Sequence, residues 1–159
     1  MIYTINKGIV WEEPNAQIIF NPVSTSNSML GQKIFNDLLK ETHKKVYDEY
    51  LDYMVGESQK YLLGDIQLVQ IKSGKIIMNG FIYKGGEIDL SALVKVLVEL
   101  YNLAYEYELN IAIPISMNNK NQITIGLIKQ IIDVIFDDFP YELYLYQKTL
   151  IGRNKNKYN

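Results

Sequence analysis

Hydrophobic positions change their spacing several times along the chain, and these changes predict alternating strands and helices. In residues 18–39, IIFNPVSTSNSMLGQKIFNDLL, a continuous apolar run stops at Asn21-Pro22, small polar residues follow, and helical spacing begins near Met29. In such a unit the loop lies at the carboxyl end of a strand and faces the unpaired NH groups of the helix, which attract anions such as phosphate. The loop residues can equally cap the helix or turn the chain, so both interpretations stay open.

The same patterns predict the other elements of the chain. Two strand-like runs, residues 65–71 and 75–83, flank Lys72-Ser73-Gly74 and indicate a β-hairpin. Further strands are predicted at residues 2–5, 9–11, 16–21, 110–115 and 141–146. Helices are predicted to begin near Met29, to cover residues 46–54, to run from Asp89 to about Tyr107, and to run from Thr124 to about Asp137. Because strands alternate with helices, we expect an α/β fold with helices on both faces of a mixed sheet.

Several positions are expected to be buried. The run IIMNGFIY is apolar on both faces apart from Asn79, which predicts a strand in the middle of a covered sheet. Asn79 is then a core amide with its hydrogen bonds satisfied, part of a bulge beside Gly80, or a contact to a ligand. Helical spacing predicts two inward stripes, one of Leu90, Leu93, Val94, Leu97, Tyr101 and Ala104, the other of Ile125, Ile128, Ile131, Ile132, Ile135 and Phe136.

Composition narrows the chemistry. The chain has 159 residues and is 48% hydrophobic, so we expect residues 1–150 to form one domain and residues 151–159 to be a basic, disordered tail. It contains no cysteine, and His43 is its one histidine, which excludes disulfides, thiol nucleophiles and sites built from several histidines. We expect no metal ion and no cofactor. An enzyme with this sequence would use Lys, Asp, Glu or Tyr for proton transfer.

Charge and hydropathy narrow the partners. Of the formal charge of −2, the tail contributes +3 through Arg153, Lys155 and Lys157, so residues 1–150 carry −5. An acidic body disfavours nucleic acid as a partner. No apolar run approaches the ~20 residues that span a bilayer, and no signal-peptide pattern is present, so we expect a cytoplasmic protein with no membrane contact. Abundant Lys, Asn, Ile and Tyr are typical of an AT-rich genome, such as that of a phage or its bacterial host.

Three loops are expected to meet at one edge of the predicted sheet. They cover residues 22–31, 84–88 and 116–123, and each follows a predicted strand. In α/β folds ligands lie outside the carboxyl ends of strands, where the connections diverge. This edge is therefore where the sequence predicts a binding site.

Four ordered segments carry short motifs. They are Asn21-Pro22-Val23-Ser24 followed by Met29-Leu30-Gly31-Gln32, Leu63-Gly64-Asp65-Ile66 followed by Ile77-Met78-Asn79 and Lys84, Ile111-Ala112-Ile113-Pro114, and Leu143-Tyr144-Leu145-Tyr146. In order and spacing, over residues 7–148, they resemble the motifs of a macrodomain, the ADP-ribose-binding module. The most similar subgroup contains the antitoxins that remove ADP-ribose from DNA and the terminal ADP-ribose protein glycohydrolases. The resemblance implies a three-layer α/β/α fold with a mixed central sheet.

The resemblance also implies a ligand, an ADP-ribose-like nucleotide, and a set of site residues. Asn21 and Asn79 would meet ribose hydroxyls, and Tyr146 would stack on the base. The full set of candidate ligand-binding residues is Asn21, Val23, Ser24, Ser28, Met29, Leu30, Gly31, Gln32, Ile34, Asn79, Pro114, Ile115, Ser116, Met117, Asn118, Asn119, Asn121 and Tyr146. Lys84 falls within one position of the subgroup's catalytic lysine, which attacks the ribose.

The chain departs from the family pattern at several positions. Gly8-Ile9-Val10 stands where the family has an Asp that holds the adenine amino group. The second phosphate loop, residues 116–122, contains no glycine, and Asn121 stands near the position of the glycohydrolases' acid. The turn Gly85-Gly86 predicts that Lys84 is a solvated surface lysine, whereas a nucleophilic lysine must lose its proton. We therefore expect nucleotide binding with weak or absent hydrolase activity.

Two other functions stay open. One is a hydrolase that depends on Lys84 and removes ADP-ribose from modified DNA or protein. The other is a protein-interaction module that keeps the fold and has lost the nucleotide pocket. The 13 tyrosines favour the second of these, because tyrosine is common at interfaces.

Overall fold

A mixed seven-stranded sheet forms the centre of the structure, a computed structural model that describes residues 1–25, 43–54 and 62–148. The strands are β1 (Ile2–Ile5), β2 (Ile18–Ser24), β3 (Ile66–Gln70), β4 (Ile76–Lys84), β5 (Glu87–Ile88), β6 (Ile111–Pro114) and β7 (Leu143–Tyr146). Their order across the sheet is β1-β7-β6-β2-β4-β3, and β5 pairs with the end of β4. Strands β1, β7, β6, β2 and β4 are parallel, whereas β3 and β5 are antiparallel to β4.

Helices cover both faces of this sheet. They are α1 (Lys44–Met54), α2 (Leu90–Tyr107) and α3 (Ile125–Ile135), and a 3₁₀ turn is formed by Val10–Glu12. The larger core lies between the sheet and the pair α2 and α3, and the second core, on the opposite face, contains Val46 of α1 and Trp11 of the 3₁₀ turn. The expected three-layer α/β/α architecture with a mixed sheet is confirmed. None of the helices within the described ranges combines the length and apolarity that crossing a membrane requires.

The hairpin and the caps agree with the sequence patterns. Strands β3 and β4 pair in antiparallel fashion across Lys72-Ser73-Gly74, and β4 lies between β2 and β3 with seven of its nine residues buried. Helix α2 starts where Asp89 accepts a hydrogen bond from Ala92 N at 2.8 Å, and α3 starts where Thr124 accepts one from Leu127 N at 3.1 Å. Each capping side chain satisfies an amide that has no partner inside its helix.

Strand β2 is longer than its pattern predicts, because Pro22 lies inside the strand instead of ending it. Ile18 N donates to Asn110 O, which places the amides of the even-numbered positions of β2 on the β6 side. The pairing of β2 with β6 ends at Ile19 and Ala112, so the missing donor of Pro22 falls where no ladder bond is made. Residues 9–11, predicted as a strand, form instead part of the 3₁₀ turn, whose Glu12 N donates to Ile9 O.

The inward stripes of the helices are only partly as predicted. Leu90 and Val94 of α2 are 37% and 40% exposed, and Ile125 of α3 is 42% exposed. The buried residues of α2 are Ala92, Leu93, Val96, Leu97, Leu100 and Ala104. Apolar residues surround most of this helix, so their spacing alone does not decide which face meets β4 and α3. The predicted helix after Met29 and the predicted basic tail lie outside the described residues.

Candidate functional site

The pairing of β2 with β6 stops short of the carboxyl edge of the parallel strands, and we call the place where these two strands separate the crevice. Strand β2 pairs with β6 only at Ile18↔Ile111 and Ile19↔Ala112, whereas it pairs with β4 as far as Ser24↔Tyr83. Two neighbouring parallel strands therefore separate before they end. Such a separation outside the carboxyl ends of strands is where open α/β sheets bind ligands.

The described part of the chain brings most of the candidate residues to this edge. Asn21, Val23 and Ser24 end β2 and are buried, and Lys84 ends the neighbouring strand β4. Pro114 ends β6 in register with Tyr146 of β7, and Ile115, Ser116, Met117, Asn118, Asn119 and Asn121 follow β6. Ser28, Met29, Leu30, Gly31, Gln32 and Ile34 lie outside the described residues. The ligand contacts of all these residues stay predictions.

Three buried carboxamides form a row across three strands, which we call the amide row: Gln67 of β3, Asn79 of β4 and Asn21 of β2. Gln67 is in register with Asn79, and Asn79 with Asn21. Asn79 Nδ2 donates to Gln67 Oε1 at 3.0 Å, and Asn21 Nδ2 donates to Asn79 Oδ1 at 2.8 Å. At the outer end, Gln67 Nε2 donates to the backbone oxygen of Glu49 in α1 at 3.0 Å. Asn79 thus has hydrogen bonds at both ends of its carboxamide.

The inner end of the amide row is an oxygen without a partner. Asn21 is fully buried, and its Oδ1 accepts no hydrogen bond. Burying a carbonyl oxygen without a donor costs about 1–3 kcal/mol. A polar atom left in this state beside a crevice is suited to receive a donor from a ligand.

Sequence reasoning did not identify Gln67. In the strand sequence IQLVQ, Gln67 shares a face with Val69, and both are buried. An inward-facing glutamine on a hairpin strand is the signal that could have singled it out, because its cross-strand partner is the already noted Asn79.

Asn119 stabilises the second loop from within. Its Oδ1 accepts from Ile123 N at 2.7 Å, and its Nδ2 donates to Met117 O and Ile123 O, both at 2.9 Å. The loop therefore obtains through a side chain the internal hydrogen bonds that hold its shape.

Asn121 ties this loop to the hairpin that carries Lys84. Its Oδ1 accepts from Ile88 N at 3.1 Å, and its Nδ2 donates to Ile88 O at 2.9 Å. Beside it, Lys120 N donates to Gly86 O at 2.9 Å. In this arrangement the Asn121 carboxamide serves the backbone of β5, in the region where the family resemblance expected an acid.

Lys84 is exposed and lies in the wall of a surface cleft of about 330 Å³. The cleft is lined by Leu63, Lys84, Glu87, Ile88 and Asp89. Two carboxylates thus share the cleft with the ammonium group. A lysine becomes a nucleophile through burial or a cationic neighbour, and an exposed position supplies no desolvation.

Tyr146 packs against the start of the chain. A Cβ added to Gly8 would lie 2.7 Å from Tyr146 Cε2, and the Tyr146 hydroxyl donates to Glu13 Oε1 at 2.9 Å. Burial, followed by the bond to Glu13, raises the pKa of Tyr146 well above its usual value. Only 6% of the residue is exposed, so little of the ring face is available for stacking on a base.

Glu13 is a buried carboxylate that the sequence patterns did not single out. Besides Tyr146, its Oε2 accepts from Asn15 N at 3.0 Å, and only 5% of the residue is exposed. Lys75 Nζ donates to the backbone oxygens of Glu13 and Ala16. Burial lowers the pKa of Lys75, and the charge of Glu13 opposes this shift. This cluster joins the 3₁₀ turn to β4 and β7.

Comparison with known proteins bears on the fold. No protein-family model and no curated protein matches the chain. Among solved structures, the macrodomain of Thermus aquaticus DarG is similar with a TM-score of 0.75 and 16% identity, over 92% of this chain and 98% of that one. The macrodomain of Mycobacterium tuberculosis DarG has a TM-score of 0.76 and 16% identity, over 92% and 97%.

A third solved structure extends the comparison to a complex. The Trypanosoma brucei macrodomain, solved in complex with ADP-ribose, has a TM-score of 0.64 and 12% identity, over 98% of this chain and 66% of that one. Identities this low carry information about architecture only. On the strength of these matches and of the three-layer architecture described above, the chain has the macrodomain fold.

Proposed function

We propose that this protein binds ADP-ribose or a related nucleotide signal, and that its hydrolase activity is weak or absent. The observation that carries the proposal is the macrodomain fold, which this chain shares with a macrodomain solved in complex with ADP-ribose. The crevice between β2 and β6 supports it, because open α/β sheets bind ligands where neighbouring strands separate at the carboxyl edge.

The chemistry of the crevice agrees with a nucleotide. Asn21 offers an unpartnered oxygen to a ribose hydroxyl, and Ser116, Asn118 and the amides around them lie where a phosphate would be met. The sequence adds Gly31, the one glycine of the first loop. A residue without a side chain is needed there if the protein backbone is to approach the ligand closely. These roles are part of the proposal.

Calorimetric titration with ADP-ribose, with AMP and NAD as comparators, tests the proposal. We expect micromolar binding selective for ADP-ribose, and a large loss of affinity in Gly31→Leu because a side chain would fill the approach to the diphosphate. Gly126→Ala, on the exposed surface of α3, is the matched glycine control and should bind as the wild type does. Absence of heat and of thermal stabilisation at millimolar ADP-ribose would contradict the proposal.

A Lys84-dependent ADP-ribosyl hydrolase is the second candidate. The observation that favours it is the position of Lys84 at the carboxyl edge beside the end of β2. The exposure of the lysine and the engagement of Asn121 with Ile88 count against it. If it is correct, the protein releases ADP-ribose from modified DNA or protein, Lys84→Ala abolishes the release, and Lys72→Ala, in the distant hairpin turn, does not.

A protein-interaction module is the third candidate. Val134 is 78% exposed, and a shallow apolar groove of about 300 Å³ between α2 and α3 is lined by Val94, Gln130, Ile131, Val134 and Ile135. Exposed apolar surface of this kind favours protein contacts. If this candidate is correct, the protein has lost the nucleotide pocket and does not bind ADP-ribose, so measurable binding in the titration above would contradict it.

A further inference from the structure

The direction of every hydrogen bond in the amide row is fixed from its outer end. The backbone oxygen of Glu49 can only accept, so Gln67 must turn its NH₂ group toward it. Gln67 Oε1 therefore faces Asn79, and Asn79 must donate a hydrogen bond to it from its own NH₂ group. Asn79 Oδ1 then faces Asn21, and the same requirement makes Asn21 Nδ2 the donor.

The consequence appears at the inner end. Asn21 Nδ2 donates to Asn79. The other polar atom of this carboxamide, Asn21 Oδ1, has no hydrogen-bond partner and is fully buried. The register of β2 with β6 would set Asn21 opposite Pro114, two positions beyond the last pair of that ladder. Pro114 has no polar side chain, so the neighbouring strand supplies no donor from its side chain at this level.

We propose that Gln67 is a positioning residue that makes the site at Asn21 specific for a ligand group that donates a hydrogen bond. Gln67 does not touch the ligand. It acts through Asn79, by preventing the two asparagine carboxamides from turning over. This inference rests on the proposed function, because the ligand group is supplied by the bound nucleotide.

The fixed direction selects among the groups of a nucleotide. A ribose hydroxyl can donate to Asn21 Oδ1, whereas a phosphate oxygen cannot, and its charge would be repelled by the carbonyl dipole. Without the amide row, a carboxamide at this position could present either its oxygen or its NH₂ group. The amide row therefore makes Asn21, which could otherwise present a donor or an acceptor, present only an acceptor.

The test measures discrimination between ADP-ribose and a panel of analogues that each lack one ribose hydroxyl. For the wild type we expect one analogue to bind about tenfold or more weakly, because a buried oxygen loses its donor. In Gln67→Met, which keeps the length of the side chain and removes both hydrogen bonds, this ratio should fall below about threefold. Undiminished discrimination in Gln67→Met would overturn the inference.

Two further variants separate positioning from simple destabilisation. Gln70→Met, at the exposed end of the same strand, is the matched control and should keep the wild-type ratio. Gln67→Glu is the conservative variant: protonated or ionised, its carboxyl group keeps an oxygen that accepts from Asn79 Nδ2. Because Asn79 must still turn its NH₂ group toward this oxygen, we expect Gln67→Glu to keep the wild-type ratio. A ratio as low as that of Gln67→Met would contradict the role of direction.

A measurement without ligand keeps the inference distinct from the proposed function. Solvent exchange of the side-chain amide protons of Asn79 and Asn21, followed by NMR, should be slow in the wild type and fast in Gln67→Met. If the wild type fails to bind ADP-ribose, the proposed function is wrong, and the exchange rates of these protons still test whether Gln67 fixes the amide row. Equal exchange in wild type and variant would overturn it.

Discussion

At the scale of single residues, the close contact at Gly80 shows how little space the centre of the sheet leaves. A Cβ at Gly80 would lie 2.4 Å from Phe20 Cε1 and 3.3 Å from Val96 Cγ2. Both neighbours are fully buried, so neither can move away without disturbing the larger core. Glycine is needed here for space, in the strand between β2 and β3 that carries Asn79.

Gly80→Ala is therefore expected to lower the free energy of unfolding by about 1–3 kcal/mol, the usual cost of overpacking a core. Gly126→Ala is the matched control. Its Cβ would meet nothing closer than 3.7 Å, and alanine favours a helix over glycine by roughly 0.5–1 kcal/mol, so this variant should be more stable. Urea unfolding of both variants measures whether each substitution lowers or raises the free energy of unfolding. Equal effects would show that the close contact at Phe20 carries no energy.

Tyr144 gives a residue-scale prediction about alkaline pH. Burial, and then the hydrogen bond to Glu142 at 2.7 Å, raises the pKa of Tyr144 to about 12. The unfolded chain releases this proton near pH 10, so between about pH 10 and 12 it binds fewer protons than the folded chain, and stability falls as pH rises. Below pH 10 this contribution is complete.

Tyr144→Phe should make the alkaline decline of the unfolding free energy shallower over that window. The variant also loses the hydrogen bond from Tyr144 to Glu142, so it should be less stable at neutral pH. Glu142 still accepts hydrogen bonds from Tyr3 and Asn110 in the variant. Denaturant unfolding at a series of pH values measures both effects. A decline as steep as that of the wild type would assign the alkaline sensitivity to other tyrosines.

At the scale of elements, the second loop and the hairpin after β4 behave as one unit. Three hydrogen bonds join them: two between Asn121 and Ile88, and one from Lys120 N to Gly86 O. Gly85 and Gly86, with φ of +61° and +82°, allow the tight turn that brings Gly86 into reach. The loop without glycine thus obtains its shape from side-chain amides and from a neighbouring strand.

Asn121→Ala should cost about 1–2 kcal/mol of unfolding free energy, because two hydrogen bonds are lost and Ile88 N keeps no partner in their place. Asn118→Ala, three residues earlier on the exposed part of the same loop, should cost less than about 0.5 kcal/mol. Thermal unfolding of the two variants provides the comparison. If Asn121→Ala were as stable as Asn118→Ala, the connection between loop and hairpin would be energetically unimportant.

Elements were the level at which the sequence was most informative. The hairpin turn at Lys72-Ser73-Gly74 and the starts of α2 at Asp89 and of α3 at Thr124 have local causes, so local patterns predicted them. The continuation of β2 through Pro22 could not be predicted, because it depends on where the neighbouring strand β6 stops pairing. The inward face of α2 is likewise decided by β4 and α3.

In the candidate site too, the sequence predicted features with local causes and missed those that depend on contacts between distant parts of the chain. The sequence placed the loops at the end of the strand with Asn21 and at Lys84 near the carboxyl edge because strand ends and loops can be located from patterns, and it singled out Asn79 as the polar residue of a buried strand. It could not reveal the hydrogen-bond partners of Asn79 and Asn121: Gln67, whose contact with Asn79 depends on the register of a hairpin, and Ile88, which engages Asn121. Glu13 meets Tyr146 across 133 positions of the chain, a contact that no local pattern contains.

At the scale of the whole molecule, β7 and the residues just after it are joined to the start of the chain. Gln147 N donates to Ile5 O, and Gly8 N donates to Lys148 O, which joins this end to β1 and the segment that follows it. The sequence predicts that residues 151–159 add only a basic tail. All the contacts just named are kept in a chain that ends at residue 150.

If residues 151–159 form the disordered tail that the sequence predicts, a chain truncated to residues 1–150 should unfold within about 2 °C of the full-length protein. Its net charge of −5 should weaken nonspecific attraction to anionic surfaces, an effect visible at low salt and screened at physiological ionic strength. A chain truncated after residue 145 is the matched control: it loses Tyr146, with its bond to Glu13 and its pairing with Pro114, and should lose most of its stability. Thermal unfolding decides between the two cuts. Loss of the cooperative transition in the 1–150 chain would show that the last nine residues belong to the folded domain, and the macrodomain unit would then have to be drawn to residue 159.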